Sequence, residues 1–123
     1  MERLEISERQ VENVTILDMK GSVSIGENCE LFRLTIRWKV RENKKNLLLN
    51  MANVRYIDSS GLGEIVSAFM ALNREGGSLK MSNLNSRVLD LISITKLLTV
   101  FDSFETERDA VASFREAAVA RMT

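Results

Sequence analysis

The stretch Asn46-Leu47-Leu48-Leu49-Asn50-Met51, then Ala52 to Ile57, then Asp58-Ser59-Ser60-Gly61-Leu62-Gly63, decides how the rest of the chain is read. Three consecutive leucines in a short run bounded by asparagines predict a strand buried on both faces, the kind found inside a parallel sheet. Ala52 to Ile57 reads as a loop. Asp58, Ser59 and Ser60 are all good helix N-caps, because a short side-chain oxygen accepts from a free N–H of the first turn. Leu62, Ile65, Val66, Phe69 and Leu72 then share one helical face, and Gly76-Gly77 ends the helix. A strand end that feeds a helix start is where functional groups gather in open α/β sheets.

Towards the N-terminus, apolar residues at Leu4 and Ile6, and again at Val14, Ile16, Leu17 and Met19, predict a hairpin whose second strand ends at Gly21. Glu27 to Arg41 lacks glycine and is rich in helix formers. That helix carries two apolar stripes. Cys29, Phe32, Ile36 and Val40 form one; Leu31, Leu34 and Trp38 lie almost opposite. A surface helix buries one face, so one stripe is surplus, covered by loops or a terminus, or else left for a partner. Trp38 gives this weight, since tryptophan is enriched in binding hot spots.

Towards the C-terminus, Leu79 and Met81 predict a strand, and Asn83 or Asn85 caps a helix bearing Val88, Leu89, Leu91 and Ile92. Val100 to Phe104 reads as a last strand. Thr106 then opens a final helix, with Asp109 in a capping-box-like position and Val111, Phe114 and Ala118 on the inner face. The order β-β-α-β-α-β-α-β-α makes this an α/β protein. It predicts a mixed sheet of about five strands covered by four helices, with right-handed crossovers between parallel pairs. No repeat, linker or proline interrupts the 123 residues, so residues 1–123 read as a single domain.

Composition narrows the function classes. Seventeen basic residues balance 17 acidic ones, so no broad field draws the chain to nucleic acid or anionic lipid. Cys29 is the single cysteine, too little for an internal disulfide or a zinc cluster. The absence of histidine removes Ser-His-Asp and Cys-His catalysis and the commonest transition-metal ligand. No apolar run has the length of a membrane span, and MERLEISERQ lacks a signal-peptide core. The expectation is a cytoplasmic protein without metal or cofactor.

Several readings meet at Asp58 to Gly63. A helix cap and packing turn is what the local chemistry favours. A phosphate-binding loop is weaker, because no lysine follows and the spacing is not the Walker pattern. A hydrolase nucleophile elbow is weaker still, with glycines misplaced and no histidine base. A phosphoacceptor serine is physically sound: phosphate adds roughly 1.5 to 2 negative charges beside Asp58 at a helix N-terminus that tolerates them.

Read together, Asn46 to Asn50 and Val54-Arg55-Tyr56-Ile57-Asp58-Ser59-Ser60-Gly61-Leu62-Gly63 resemble the STAS domain of bacterial anti-sigma-factor antagonists. Gly21, the segment Leu97 to Phe101 and the helix opening near Thr106 extend the resemblance over nearly the whole chain. It implies a non-catalytic, partner-switching regulator. The unmodified protein binds an anti-sigma factor that is also a serine protein kinase, phosphorylation releases it, and a serine phosphatase resets the cycle. Carried over by position, the phosphoacceptor is Ser59, and Ser60 is the adjacent hydroxyl. Asp58 holds the loop, Gly61 and Gly63 let the partner approach, and Glu64, Ser67, Met70 and Arg74 continue the docking face. A scaffold subunit of another signalling assembly, or a nucleotide-binding module, is the alternative.

The chain departs from the family pattern at Ser24 and Asn50, where acidic residues are common, and at Lys96, where glycine is frequent. The family's helix register implies that Leu31, Thr35 and Trp38 turn inward. Phe32, Ile36 and Val40 would then be the surplus stripe, available for a homodimer or second partner.

Overall fold

Alternating apolar residues fold the first two strands, β1 (Glu5–Val11) and β2 (Val14–Val23), into an antiparallel hairpin. There follow α1 (Glu27–Arg41), β3 (Asn46–Ile57), α2 (Ser59–Arg74), β4 (Ser78–Ser82), α3 (Ser86–Ile94), β5 (Asp102–Phe104) and α4 (Glu107–Met122). This computed structural model describes residues 2–95 and 101–122. The strands lie in sequence order, β1-β2-β3-β4-β5, and every pair after the hairpin is parallel. The mixed five-stranded sheet with four helices is the expected architecture.

The three leucines of β3 show why its sequence is continuously apolar. Leu47 and Leu49 join the larger core, with Phe32 of α1, Ile65 and Leu72 of α2, and Val88 and Ile92 of α3. Leu48 points the other way, into a smaller core with Val14, Ile16 and the α4 residues Ala110, Val111 and Phe114. Three helices thus cover one face of the sheet and one covers the other.

Two expected boundaries move. Gly21 does not end β2, which runs on to Val23, and Ala52 to Ile57 is strand, not loop. The reason is shared. The β2–β3 register shifts between Asp18 and Lys20 and again between Gly21 and Ser22. Such bulges break the two-residue alternation by which a strand is recognised. Gly21 has φ 107°, and a Cβ there would lie 2.2 Å from the carbonyl oxygen of Arg3. Only glycine fits.

The helix ends follow local chemistry. Asn85, not Asn83, caps α3, accepting from the N–H of Val88 at 2.9 Å while its amide donates to the carbonyl of Val54 at 2.6 Å. At the end of α2 the N–H of Gly77 donates to Leu72 and that of Gly76 to Asn73, a Schellman closure with Gly76 at φ 79°. Thr106 caps α4 through the N–H of Asp109. Val100 of the expected last strand, and Lys96 to Val100 of the family-like segment, lie outside the described residues. Phe101 packs edge-to-face on Phe69.

The register of α1 is the reverse of what the family resemblance implies. Cys29, Phe32 and Ile36 are buried and Val40 packs against the core, whereas Leu31, Leu34 and Trp38 are 40%, 44% and 58% exposed. Two ion pairs flank the buried stripe and are compatible only with this rotation. Lys39 on one edge meets Glu8 of β1, and Arg33 on the other meets Glu64 of α2. A self-association surface built from Phe32, Ile36 and Val40 is therefore ruled out; those side chains belong to the core.

Candidate functional site

β3 ends at Ile57 and α2 begins at Ser59, so Asp58 occupies the N-cap with extended backbone, φ −97°. Its carboxylate is divided between two loops. One oxygen accepts from the N–H of Gly61 at 2.8 Å, and the other from the N–H of Ile25, in the β2–α1 loop, at 2.9 Å. Burial pushes its pKa up, but the N–H groups of Ile25, Gly61 and Ser60 outweigh that and hold it below the usual carboxylate value. Asp58 is thus an anion fixed in place at neutral pH.

Around this anchor the predicted residues take different stations. Ser59 is exposed, and among the described residues its hydroxyl has no hydrogen-bond partner. Ser60 is half-buried and walls an open cavity of about 660 Å³ with Ile25, Glu27, Cys29, Arg33 and Glu64. Of the two hydroxyls, that of Ser59 is the more exposed.

Gly61 differs from expectation. It is buried, and a Cβ there would sit 1.8 Å from the carbonyl oxygen of Val23, so its missing side chain serves contact between α2 and β2. Gly63 is exposed, with open space where its Cβ would be. It leaves a flat place on the helix one turn from Ser59. Ser67 and Met70 are exposed further along α2, and Arg74 at its end. Glu64 is half-buried and held by Arg33 at 2.8 Å.

Sequence reading missed Ile25. Its side chain is 75% exposed beside the Asp58 anchor. No local signal marks it, because the contact that places it spans 33 residues. Cys29 is buried, and burial followed by the charges of Asp58 and Glu64 pushes its thiol pKa up, which keeps it unreactive. Among the described residues no group of three or more His, Cys, Asp or Glu could hold a metal, and no helix is long and apolar enough to cross a membrane.

The departures at positions 24 and 50 are satisfied internally. Ser24 is buried, sharing hydrogen bonds with Ser22 at 3.2 Å and Asn28 at 3.3 Å. The Asn50 amide donates to Asp18 at 2.8 Å, and its oxygen accepts from the N–H of Ala52 at 3.2 Å.

The chain is thus an α/β domain in which the central strand β3 feeds a helix that begins with an exposed serine, on a loop held by Asp58. The family model for the STAS domain matches residues 5–110, and the chain belongs to the STAS domain family. The anti-sigma-B factor antagonist of Bacillus subtilis (strain 168) is 39% identical over 61 residues, 50% of this chain. The chain spans about half the length of this curated relative, 56%. Protein TM1081 of Thermotoga maritima has a similar crystal structure, with TM-score 0.84 and 25% identity, covering 89% of this chain and 94% of that one. The fold also matches the Bacillus cell fate determinant SpoIIAA in its phosphorylated form, with TM-score 0.69 and 15% identity over 89% of this chain and 99% of that one.

Proposed function

We propose that this chain is an anti-sigma-factor antagonist, a non-catalytic partner switch thrown by phosphorylation of Ser59. The observation that carries the reading is the exposed Ser59, its hydroxyl unbonded among the described residues, at the start of α2 on a loop that Asp58 already holds. The family membership and the relative named as an anti-sigma-B factor antagonist support it. The partner is an anti-sigma factor that is also a serine kinase; a serine phosphatase reverses the modification. Ser59, Ser60, Gly63, Ser67 and Met70 form the docking face with Ile25 at its margin, while Asp58 and Gly61 shape the loop from within.

The switch needs no unfolding. The helix N-terminus accommodates a phosphate dianion on the free protein. In the complex the same dianion would be desolvated next to the fixed charge of Asp58, and an unpaired buried charge costs several kcal/mol. At about 1.4 kcal/mol per decade of affinity, one phosphate turns a tight complex into a negligible one.

Calorimetry with the cognate anti-sigma factor tests this. Ser59→Ala should bind as the unmodified protein does, and Ser59→Asp roughly a hundredfold more weakly. Equal affinities for the two variants would refute the switch.

A further inference from the structure

Two open cavities, of about 750 Å³ and 360 Å³, adjoin along the seam between α1 and α2 and share the walls Ile36, Arg37, Ala71 and Arg74. The seam is apolar at its base, where Ala68 and Ala71 keep it deep. Leu34 and Trp38 form one lip, both substantially exposed. Arg37, Arg41 and Arg74 line the rim, and among the described residues none of the three has a carboxylate partner. Arg41 instead lies 5.7 Å over the Trp38 ring. In a chain of zero net charge this is a local excess of positive charge around an apolar slot. Glu75, at the far end, offsets it only in part.

We propose that this groove is a second docking site, one that takes an acidic amphipathic helix from a protein partner and works whether or not Ser59 is modified. A slot between two parallel helices accepts the apolar stripe of a third helix. Glutamates flanking that stripe would meet Arg37, Arg41 and Arg74. From Arg33 to Arg41 the seam runs about 12 Å, the length of about two helical turns. A second copy of this chain is a poor occupant, because a two-fold interface would set the same arginines against each other. A lipid surface would touch the rim and leave the apolar base empty.

The smaller cavity reaches Glu64 and Ser67, beside the Ser59 face, but the arginine-lined end that would hold the acidic helix is remote from Ser59. Ser59 and Arg74 are at opposite ends of the 16-residue α2, about 22 Å apart at 1.5 Å per residue. That is well beyond the roughly 8 Å over which exposed charges interact at physiological salt.

Trp38 is the only tryptophan in the chain, so its emission reports on the groove directly. The probe is a capped peptide of about 16 residues without aromatics, with leucines at spacings of three and four and glutamates beside them. Titrated into the full chain, it should give a saturable blue shift. Ser59→Asp should leave that binding unchanged. The double variant Arg37→Glu, Arg74→Glu should weaken it roughly tenfold. Both positions are exposed, and far-UV circular dichroism verifies the fold. No saturable response, equal binding of the matching lysine peptide, loss of binding in Ser59→Asp, or a stronger response to phosphatidylserine vesicles would each overturn the proposal. The probe is not the anti-sigma factor and the double variant keeps Ser59, so failure here leaves the Ser59 switch standing, and the reverse.

Discussion

The carboxylate of Asp58 accepts from the backbone N–H of Ile25 at 2.9 Å, across 33 residues of sequence. The same side chain caps α2 through Gly61. One residue therefore sets the relative position of the β2–α1 loop and the helix that begins with Ser59.

Asp58→Ala should cost about 1 to 2 kcal/mol, the upper range of a lost N-cap, since the tie to Ile25 goes as well. The pH dependence has a definite sign. The folded pKa of Asp58 is lowered, because backbone N–H bonds from Ile25, Gly61 and Ser60 outweigh burial. Its ionic contribution is thus fully present above the unfolded value near 4 and lost as pH falls through the lower folded value. Urea melts of wild type and Asp58→Asn at pH 7 and at pH 3 should differ more at pH 7. An equal difference at both would mean the charge does nothing for the fold.

The two loop glycines should separate cleanly. Gly61→Ala drives a Cβ to 1.8 Å from the Val23 carbonyl oxygen, and backbone on both sides must move. A cost of roughly 2 to 3 kcal/mol is expected. At Gly63 the added methyl meets nothing within 4 Å, so alanine should stabilise the helix, by about 0.5 to 1 kcal/mol. If Gly63 is where the partner lies close, the same methyl weakens the complex while the thermal midpoint rises. Calorimetry of unfolding and of binding on one sample would show both effects.

What the sequence revealed and what it hid divide along a physical line. The cap residues Asp58, Asn85 and Thr106, the glycine stop after α2 and the doubly buried β3 leucines are local chemistry, and local chemistry is written in neighbouring residues. The extension of β2 past Gly21 was hidden because a bulge removes the alternation that reveals a strand. The rotation of α1 was hidden differently. Its two stripes are about equally apolar, and the contacts that distinguish them are remote in sequence: Lys39 with Glu8 and Arg33 with Glu64 each join residues 31 positions apart. Ile25 joins the candidate site for the same reason: a distant carboxylate holds its backbone.

That choice of stripe is open to direct measurement. Ile36 is 5% exposed and Trp38 58%. Ile36→Ala should destabilise the domain by about 2 to 4 kcal/mol, whereas Trp38→Ala should stay within about 0.5 kcal/mol of wild type. Chemical denaturation of the pair decides it, and a larger loss at Trp38 would restore the opposite register.

Asn50 explains why an acidic residue would not suit this particular sheet. Its amide donates to Asp18 at 2.8 Å, and Asp18 is itself held by Arg9. The Arg9 guanidinium keeps the Asp18 carboxyl below its usual range; burial opposes this, and Asn50 reinforces it. In Asn50→Asp the donor becomes a second carboxylate at hydrogen-bond distance from the first. Mutual repulsion raises both folded pKa values relative to the wild-type arrangement. The variant should lose about 1 to 3 kcal/mol at pH 7. As pH falls towards 4 one carboxyl takes up a proton and can donate to the other, so the deficit should shrink. Wild type changes little at this pair over that range, since the lowered Asp18 carboxyl stays ionised and bonded to Arg9 down to about pH 4. Urea midpoints for both proteins from pH 7 down to pH 4 should therefore converge. Curves that stay parallel over that range would mean that the two side chains do not sense each other's charge.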